Sequence, residues 1–295
     1  MEIHTLDLEF CGVSGVIASF LIDVDGELAL VETGPGSCRD VLLKRLGELK
    51  VRAEDVKKVF VTHIHLDHAG GAGWWAAEHG AQIYCHERAA AHLVDPSRLI
   101  DSARRIYEDR MEELWGEMIP APKQLVKVMK DEATVPLGGL KVQALDTPGH
   151  ARHHHAFVID GACFAGDVAG VKLEKSGYLS VASAPPQFDP AAYAESIQRL
   201  KAHRFERLFL THFGEVSDIA EHLDAYASRV NQCHQYIAAL LSEGEGSGEL
   251  TLNYVNSEHD LALSQGVSEK DWQRYELANG AAMGAAGIEL YLSKL

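Results

Sequence analysis

The stretch that most constrains this chain is Thr62-His63-Ile64-His65-Leu66-Asp67-His68-Ala69-Gly70-Gly71. It runs directly on from an apolar strand signal at residues 58–62, centred on Val59-Phe60-Val61. His63, His65, Asp67 and His68 place four side chains of metal-ligand type within six positions. Imidazole and carboxylate together suit Zn²⁺, Fe²⁺ or Mn²⁺. A loop at a strand end can turn His63 and His65 toward one point and Asp67 and His68 toward another. Packed behind an apolar strand without a cation, four such groups would repel or desolvate one another. A metal site is therefore expected here rather than a polar surface loop.

Other ligand-type residues also follow apolar strand signals. His150 comes after the Thr147-Pro148-Gly149 turn that ends a strand near Leu145. Asp167 follows Phe164-Ala165-Gly166, and His212 follows the strand at 208–210. Further strands are expected at 17–23, 28–32, 82–85, 140–145 and 156–159. Residues 88–130 read as a helical insertion, with a long helix at 96–115. There Tyr107, Met111, Leu114, Trp115 and Met118 serve either as an apolar lid or as the helix's own core face. Beyond 216 the chain reads as helical, at 219–241, 269–277 and 281–292, with a flexible break at 242–248. The small-residue run from Ala281 to Gly287 suits close helix packing, within the chain or between copies. The class is α/β or α+β, divided as 1–216 and 217–295.

Composition removes several functions. Lys and Arg number 27 against 43 Asp and Glu, a net charge of −16, which argues against a nucleic-acid partner. The sequence has no apolar run long enough for a transmembrane helix and no secretory signal, so neither membrane insertion nor export is expected. Five scattered cysteines, an odd number, read as reduced thiols in the cytoplasm.

The motif His63-x-His65-x-Asp67-His68 with Gly70-Gly71 resembles the signature of the metallo-β-lactamase-fold superfamily of metallohydrolases. Val31-Glu32-Thr33-Gly34, Asp146-Thr147-Pro148-Gly149-His150, Phe164-Ala165-Gly166-Asp167 and Thr211-His212-Phe213-Gly214 resemble its other motifs in order. The likeness covers residues 10–215, with glyoxalase II-like motifs. The tail is only loosely similar to extensions in uncharacterised bacterial members. The resemblance implies a four-layer αββα sandwich with metals at one edge. It implies that His63, His65 and His150 hold one ion, that Asp67, His68 and His212 hold a second, and that Asp167 bridges them. Asp67 would also act catalytically, orienting the nucleophile and carrying a proton to the leaving group. Glu32 stands where many members have Asp and would support the metal loop from behind. His154 matches a supporting histidine found in several branches. His153 and His155 would face the other way as a surface cluster, and His79, His92, His203 and His222 would be solvated. For His86 a pocket and a surface place are both open. The same holds for Tyr178 and the Pro185-Pro186-Gln187-Phe188 segment as pocket lining.

The activity implied is hydrolysis by a hydroxide bridged between two divalent ions, with zinc first and iron or manganese as alternatives. The substrate is a small ester-type molecule, a thioester or lactone before a phosphoester. The rival reading is a mononuclear iron persulfide dioxygenase-like oxidoreductase, since ligand type alone does not fix the metal. A homo-oligomer is compatible with the tail.

Overall fold

The strands form two sheets, each ordered as in the chain. The first holds β1 (Glu2–Asp7), β2 (Ala18–Val24), β3 (Glu27–Val31), β4 (Val56–Phe60), β5 (Gln82–His86) and β6 (Val126–Met129). The second holds β7 (Thr134–Leu137), β8 (Leu140–Asp146), β9 (His155–Ile159), β10 (Ala162–Phe164), β11 (Arg207–Leu210) and β12 (Gly214–Val216). The computed structural model describes residues 1–173 and 177–295. Helices α1 (Arg39–Glu48), α2 (Leu66–Ala69), α3 (Ala72–His79), α4 (Glu87–Val94), α5 (Ser97–Tyr107) and α6 (Met111–Trp115) accompany the first sheet. Helices α7 (Pro190–His203), α8 (Ile219–Ser242), α9 (Ser247–Ser264), α10 (Glu269–Ala278) and α11 (Ala281–Leu292) accompany the second.

Both faces of each sheet are covered, and the apolar residues sort by strand period. Along β2, Ala18, Phe20, Ile22 and Val24 enter the layer between the sheets, whereas Leu21 faces the helices. Phe164 stacks on Phe209 at 5.0 Å and meets Phe20 of the other sheet at 5.2 Å. Outside the first sheet lie Leu42, Leu46, Trp75 and Leu93. Outside the second lie Ile197, Tyr226, Ile237, Tyr275 and Ile288, so the tail helices share one core with Leu145, Leu208 and Leu210. The chain thus forms the four-layer αββα sandwich.

Several elements differ from the sequence reading. Residues 126–129 form β6, an edge strand paired with β5, where a helix was expected. The helix expected at 96–115 breaks at Glu108, whose φ of 48° no continuous helix accommodates. Residues 247–264 form α9, and β1 was not anticipated at all. The small-residue face of α11 is occupied within the chain: Gly284 packs on the Ser183 side chain and Gly287 on the Ser183–Pro185 backbone, where a Cβ at Gly287 would collide.

Strand direction sets up the site. β3 to β6 are mutually parallel, as are β10 and β11. β8 runs with β10 because both are antiparallel to β9. The carboxyl ends of β3, β4, β5, β8, β10 and β11 therefore open on one rim. A ligand-type residue placed after each such strand meets the others there.

Candidate metal centre

The rim holds His63, His65, Asp67 and His68 after β4, His150 after β8, Asp167 after β10 and His212 after β11. They form two trios. His65 Nδ1 lies 3.0 Å from His63 Nε2 and 2.8 Å from His150 Nε2. Asp67 Oδ2 lies 3.5 Å from His68 Nε2 and 3.3 Å from His212 Nε2. Asp167 stands between the trios. Its Oδ2 is 3.3 Å from His150 Nε2 and 3.9 Å from His63 Nε2; its Oδ1 is 3.2 Å from His68 Nε2 and 3.6 Å from His212 Nε2.

Contacts behind these residues fix which nitrogen faces inward. The Nδ1–H of His150 donates to the Ala182 carbonyl at 3.0 Å, and that of His212 to the Val16 carbonyl at 2.8 Å. The Nδ1–H of His68 donates to Glu32 Oε1 at 3.1 Å, and that of His63 to Thr62 Oγ1 at 3.0 Å. Each of the four thus has its Nδ1 engaged from behind and turns its Nε2 to the centre, the orientation a metal-binding imidazole takes. Glu32 is fully buried in the left-handed region, φ 64°, and also accepts from the Thr62 hydroxyl and backbone N–H. These bonds over-determine a conformation that a glutamate otherwise avoids. The extra methylene relative to Asp is accommodated by this geometry.

His154 is buried behind Asp167. Its Nδ1–H donates to Thr147 Oγ1 at 2.8 Å, and its Nε2 accepts the Asp167 backbone N–H at 3.1 Å. Gly166, at φ 52°, permits this approach, because a Cβ there would press on Thr62 and His154.

The electrostatics fit a cation. Burial, with the neighbouring His68, His65 and His150, holds His63 well below the ordinary histidine pKa. Burial and His150 do the same to His65. His63 Nε2 and His65 Nδ1, both on rings held neutral, therefore converge with His150 Nε2. On the other side burial opposes charge on His68 and His212, but the carboxylates of Asp167 and Asp67 outweigh it and raise both. His68 Nε2 and Asp167 Oδ1 are buried without a hydrogen-bond partner among the described residues. Orphaned donors and acceptors of this kind need an explanation, and divalent ions in the two trios would satisfy them.

The reading of His153 and His155 as a surface cluster is overturned, since both are buried. β9 begins only at His155, so strand alternation does not govern the preceding turn. His153 sits 6.2 Å from the His63 ring with its pKa pushed down to about 3, chiefly by burial. His155 Nε2–H donates to Asp146 Oδ1 at 2.6 Å, and His86 Nε2 is 3.7 Å from the same oxygen. His86 Nδ1 accepts the Arg88 N–H at 2.9 Å, which leaves its proton on Nε2. These three residues join the ends of β5, β8 and β9, and one ligand atom from each lies close enough to the others to hold a metal ion as well. His222 is also buried, donating from Nε2 to the Ala169 carbonyl at 2.8 Å. The carbonyls of Val16 and Ala182 had no signal in the sequence. The role of Thr62 and Thr147 could have been read from their places beside His63 and in the turn before His150.

Beside the centre lies a cavity of about 290 Å³, bounded by His65, Asp67, His150 and Asp167 at one end. Tyr107, Leu114, Trp115, Pro185 and Pro186 line it, whereas Met111 and Met118 belong to the core. Tyr178 is buried and donates to Glu258 Oε2 at 2.5 Å, apart from the cavity.

Fold and rim together define an αββα protein with His/Asp clusters able to hold metal. The chain belongs to the metallo-β-lactamase superfamily, whose family model matches residues 13–212. Members are mostly metallohydrolases and typically bind divalent metals. A metallo-β-lactamase fold-containing protein of Sulfurisphaera tokodaii is 26% identical over 58% of this chain and 66% of its own length. A hydroxyacylglutathione hydrolase of Shewanella oneidensis is 25% identical over 50% of this chain and 46% of its own. The chain thus spans about two thirds and about half of these two curated relatives. The solved structure of a metallo-β-lactamase family protein from Thermus thermophilus superposes with a TM-score of 0.72 at 21% identity. It covers 99% of this chain and 93% of that one, a likeness of fold. No helix among the described residues is long and apolar enough to cross a membrane.

Proposed function

We propose that this chain is a binuclear metal-dependent hydrolase acting on a small ester-type substrate, a thioester or lactone before a phosphoester. The observation that carries the proposal is Asp167, with one carboxylate oxygen turned to each trio. His63, His65 and His150 would hold one ion and Asp67, His68 and His212 the other, with Asp167 between them. Zinc is the ion proposed, and iron or manganese suits the same donors. Bound there, the ions would supply a Lewis acid for the substrate carbonyl and a water activated for attack near neutral pH.

The chain's own residues supply the rest. Burial opposes ionisation of Asp67, but His68 and His212 overcome it and hold the carboxyl well below its usual range. Lining the cavity, this carboxylate orients the attacking water and passes its proton to the leaving group. His65 and His150 border the cavity and position the carbonyl end of a substrate. A thiol nucleophile is disfavoured: burial pushes Cys38, Cys85 and Cys233 up to about 12. Five thiols that form no disulfide support a cytoplasmic setting.

The test is metal content per chain on untagged protein, followed by assays with thioesters, lactones, phosphoesters and single-stranded DNA. Two equivalents of metal with ester hydrolysis are expected, with both lost in folded His68→Ala and Asp167→Ala. One iron with persulfide-dependent O₂ uptake would overturn the proposal.

A further inference from the structure

We infer that the cavity beside the metal centre is a binding site for an apolar acyl chain, and that the tail helices build part of it. The inference rests on the hydrolase reading and narrows its substrate to esters, thioesters or lactones whose acyl part is an alkyl chain. The ligand set, α5–α6 and α10–α11 all contribute to its lining, together with Pro185 and Pro186. Leu99, Ala103 and Tyr107 come from α5, Trp115 from α6, and Leu277 and Met283 from the tail. The two walls meet where the Tyr107 hydroxyl donates to Met283 Sδ at 3.8 Å.

Its size and lining select the occupant. About 290 Å³ is at the small end of small-molecule sites, too little to enclose a polymer. Beyond the ligand set the lining carries one cation, Arg110, and one anion, Glu276. Arg110 lies 3.7 Å from Glu113, and Glu276 accepts the Ala281 N–H at 3.0 Å. This pairing gives no cluster of positive charge for a polyphosphate. Ser102 and Asn279 are the neutral polar side chains of the lining besides the Tyr107 hydroxyl, so a sugar or peptide would leave most of its polar groups unpaired against the leucine, methionine and aromatic walls. An alkyl chain matches them, and it would cover Ile106, a lining residue left 52% exposed. A carbonyl at the metal end then leaves the chain pointing down the cavity.

The test uses the full-length, metal-loaded protein and N-acetylcysteamine thioesters from acetyl to dodecanoyl. Each methylene buried should raise kcat/KM about fourfold until the cavity is filled, after which the value falls. Met283→Trp and, from the opposite wall, Leu99→Trp should each move the maximum to shorter chains. Folding of both variants is checked by circular dichroism, and either one suffices. A flat profile, or a maximum that neither variant moves, overturns the acyl site while leaving the hydrolase reading intact. If no thioester is cleaved at any length, the hydrolase reading fails for this substrate class. The cavity is then judged on the full-length protein with methyl ketones of the same lengths, followed by intrinsic tryptophan fluorescence, with Trp115→Phe identifying the part of the signal that comes from the cavity wall. Affinity that rises with chain length supports the site, and affinity without length dependence overturns it.

Discussion

The Nε2 of His154 accepts the backbone N–H of Asp167, so a residue that need touch no metal fixes the one whose two oxygens face both trios. His154→Ala would leave that N–H buried and unpaired. Metal affinity is expected to fall about 10- to 100-fold, with about 1–3 kcal/mol of stability lost. Chelator competition and thermal melts measure the two effects. Unchanged affinity would refute the positioning role.

Glu32 gathers three donors in a fully buried place: the Thr62 hydroxyl, the Thr62 N–H and the His68 Nδ1–H. Glu32→Ala leaves them without an acceptor and frees the His68 ring to turn. Loss of the metal equivalent at Asp67, His68 and His212 is expected before loss at the other trio. Metal stoichiometry read with the melting temperature decides it, and equal loss at both positions would argue against a local effect.

Metal binding should release protons. Without metal, His68 and His212 are held above the ordinary histidine value of 6.5 by the surrounding carboxylates, against the cost of burial. Raised values mean that these rings keep a proton to higher pH than an ordinary histidine, and an incoming ion must displace it. Apparent affinity therefore rises with pH, by about tenfold per unit for each proton displaced. Calorimetry in buffers of different ionisation enthalpy counts the protons. A count of zero at pH 7 would contradict the assignment.

His222 gives stability a separate pH dependence. Burial, partly offset by the hydrogen bond to Ala169, lowers its pKa from 6.5 to about 4. The unfolded chain then takes up a proton that the folded chain refuses. Stability contributed by the neutral ring is complete above pH 6.5 and is lost as pH falls toward 4. The full effect is on the order of 3 kcal/mol. His222→Gln should flatten the melting-temperature profile across that window relative to the wild type; parallel profiles would rule the residue out.

Gly287→Val is expected to push the 183–185 backbone away from α11, and with it the Ala182 carbonyl that orients His150. Metal held by His63, His65 and His150 should weaken more than metal at the other trio. Spectroscopy of the cobalt-substituted protein checks this, and an unchanged His150 environment would count against it.

The centre was legible in the sequence because its chemistry is local. His63 to His68 follow one apolar strand, and His150, Asp167 and His212 each follow another, so strand ends alone bring them to a rim. The four layers were legible only through the resemblance of the motifs, since element order by itself reaches no further than an α/β or α+β class. Less could be read where neighbours decide. Val126-Lys127-Val128-Met129 is short and charged, and only pairing with β5 makes it a strand. Ser247-Gly248 reads as linker, yet it opens α9, whose Leu250 and Tyr254 find their partners on other helices. The burial of His155 is not legible because it depends on His86, which β5 of the other sheet brings against it, and on the β8–β9 register that sets Asp146 opposite.

The closeness of α11 to the 183–185 backbone couples the rim to a helix far away in the chain. Ser183 Oγ donates to the Gly284 carbonyl, and the next residue back, Ala182, offers the carbonyl that His150 Nδ1–H meets. A push on α11 thus needs to travel only two residues of backbone to turn a ring at the candidate centre, so this helix is a lever on the site that touches none of its ligands.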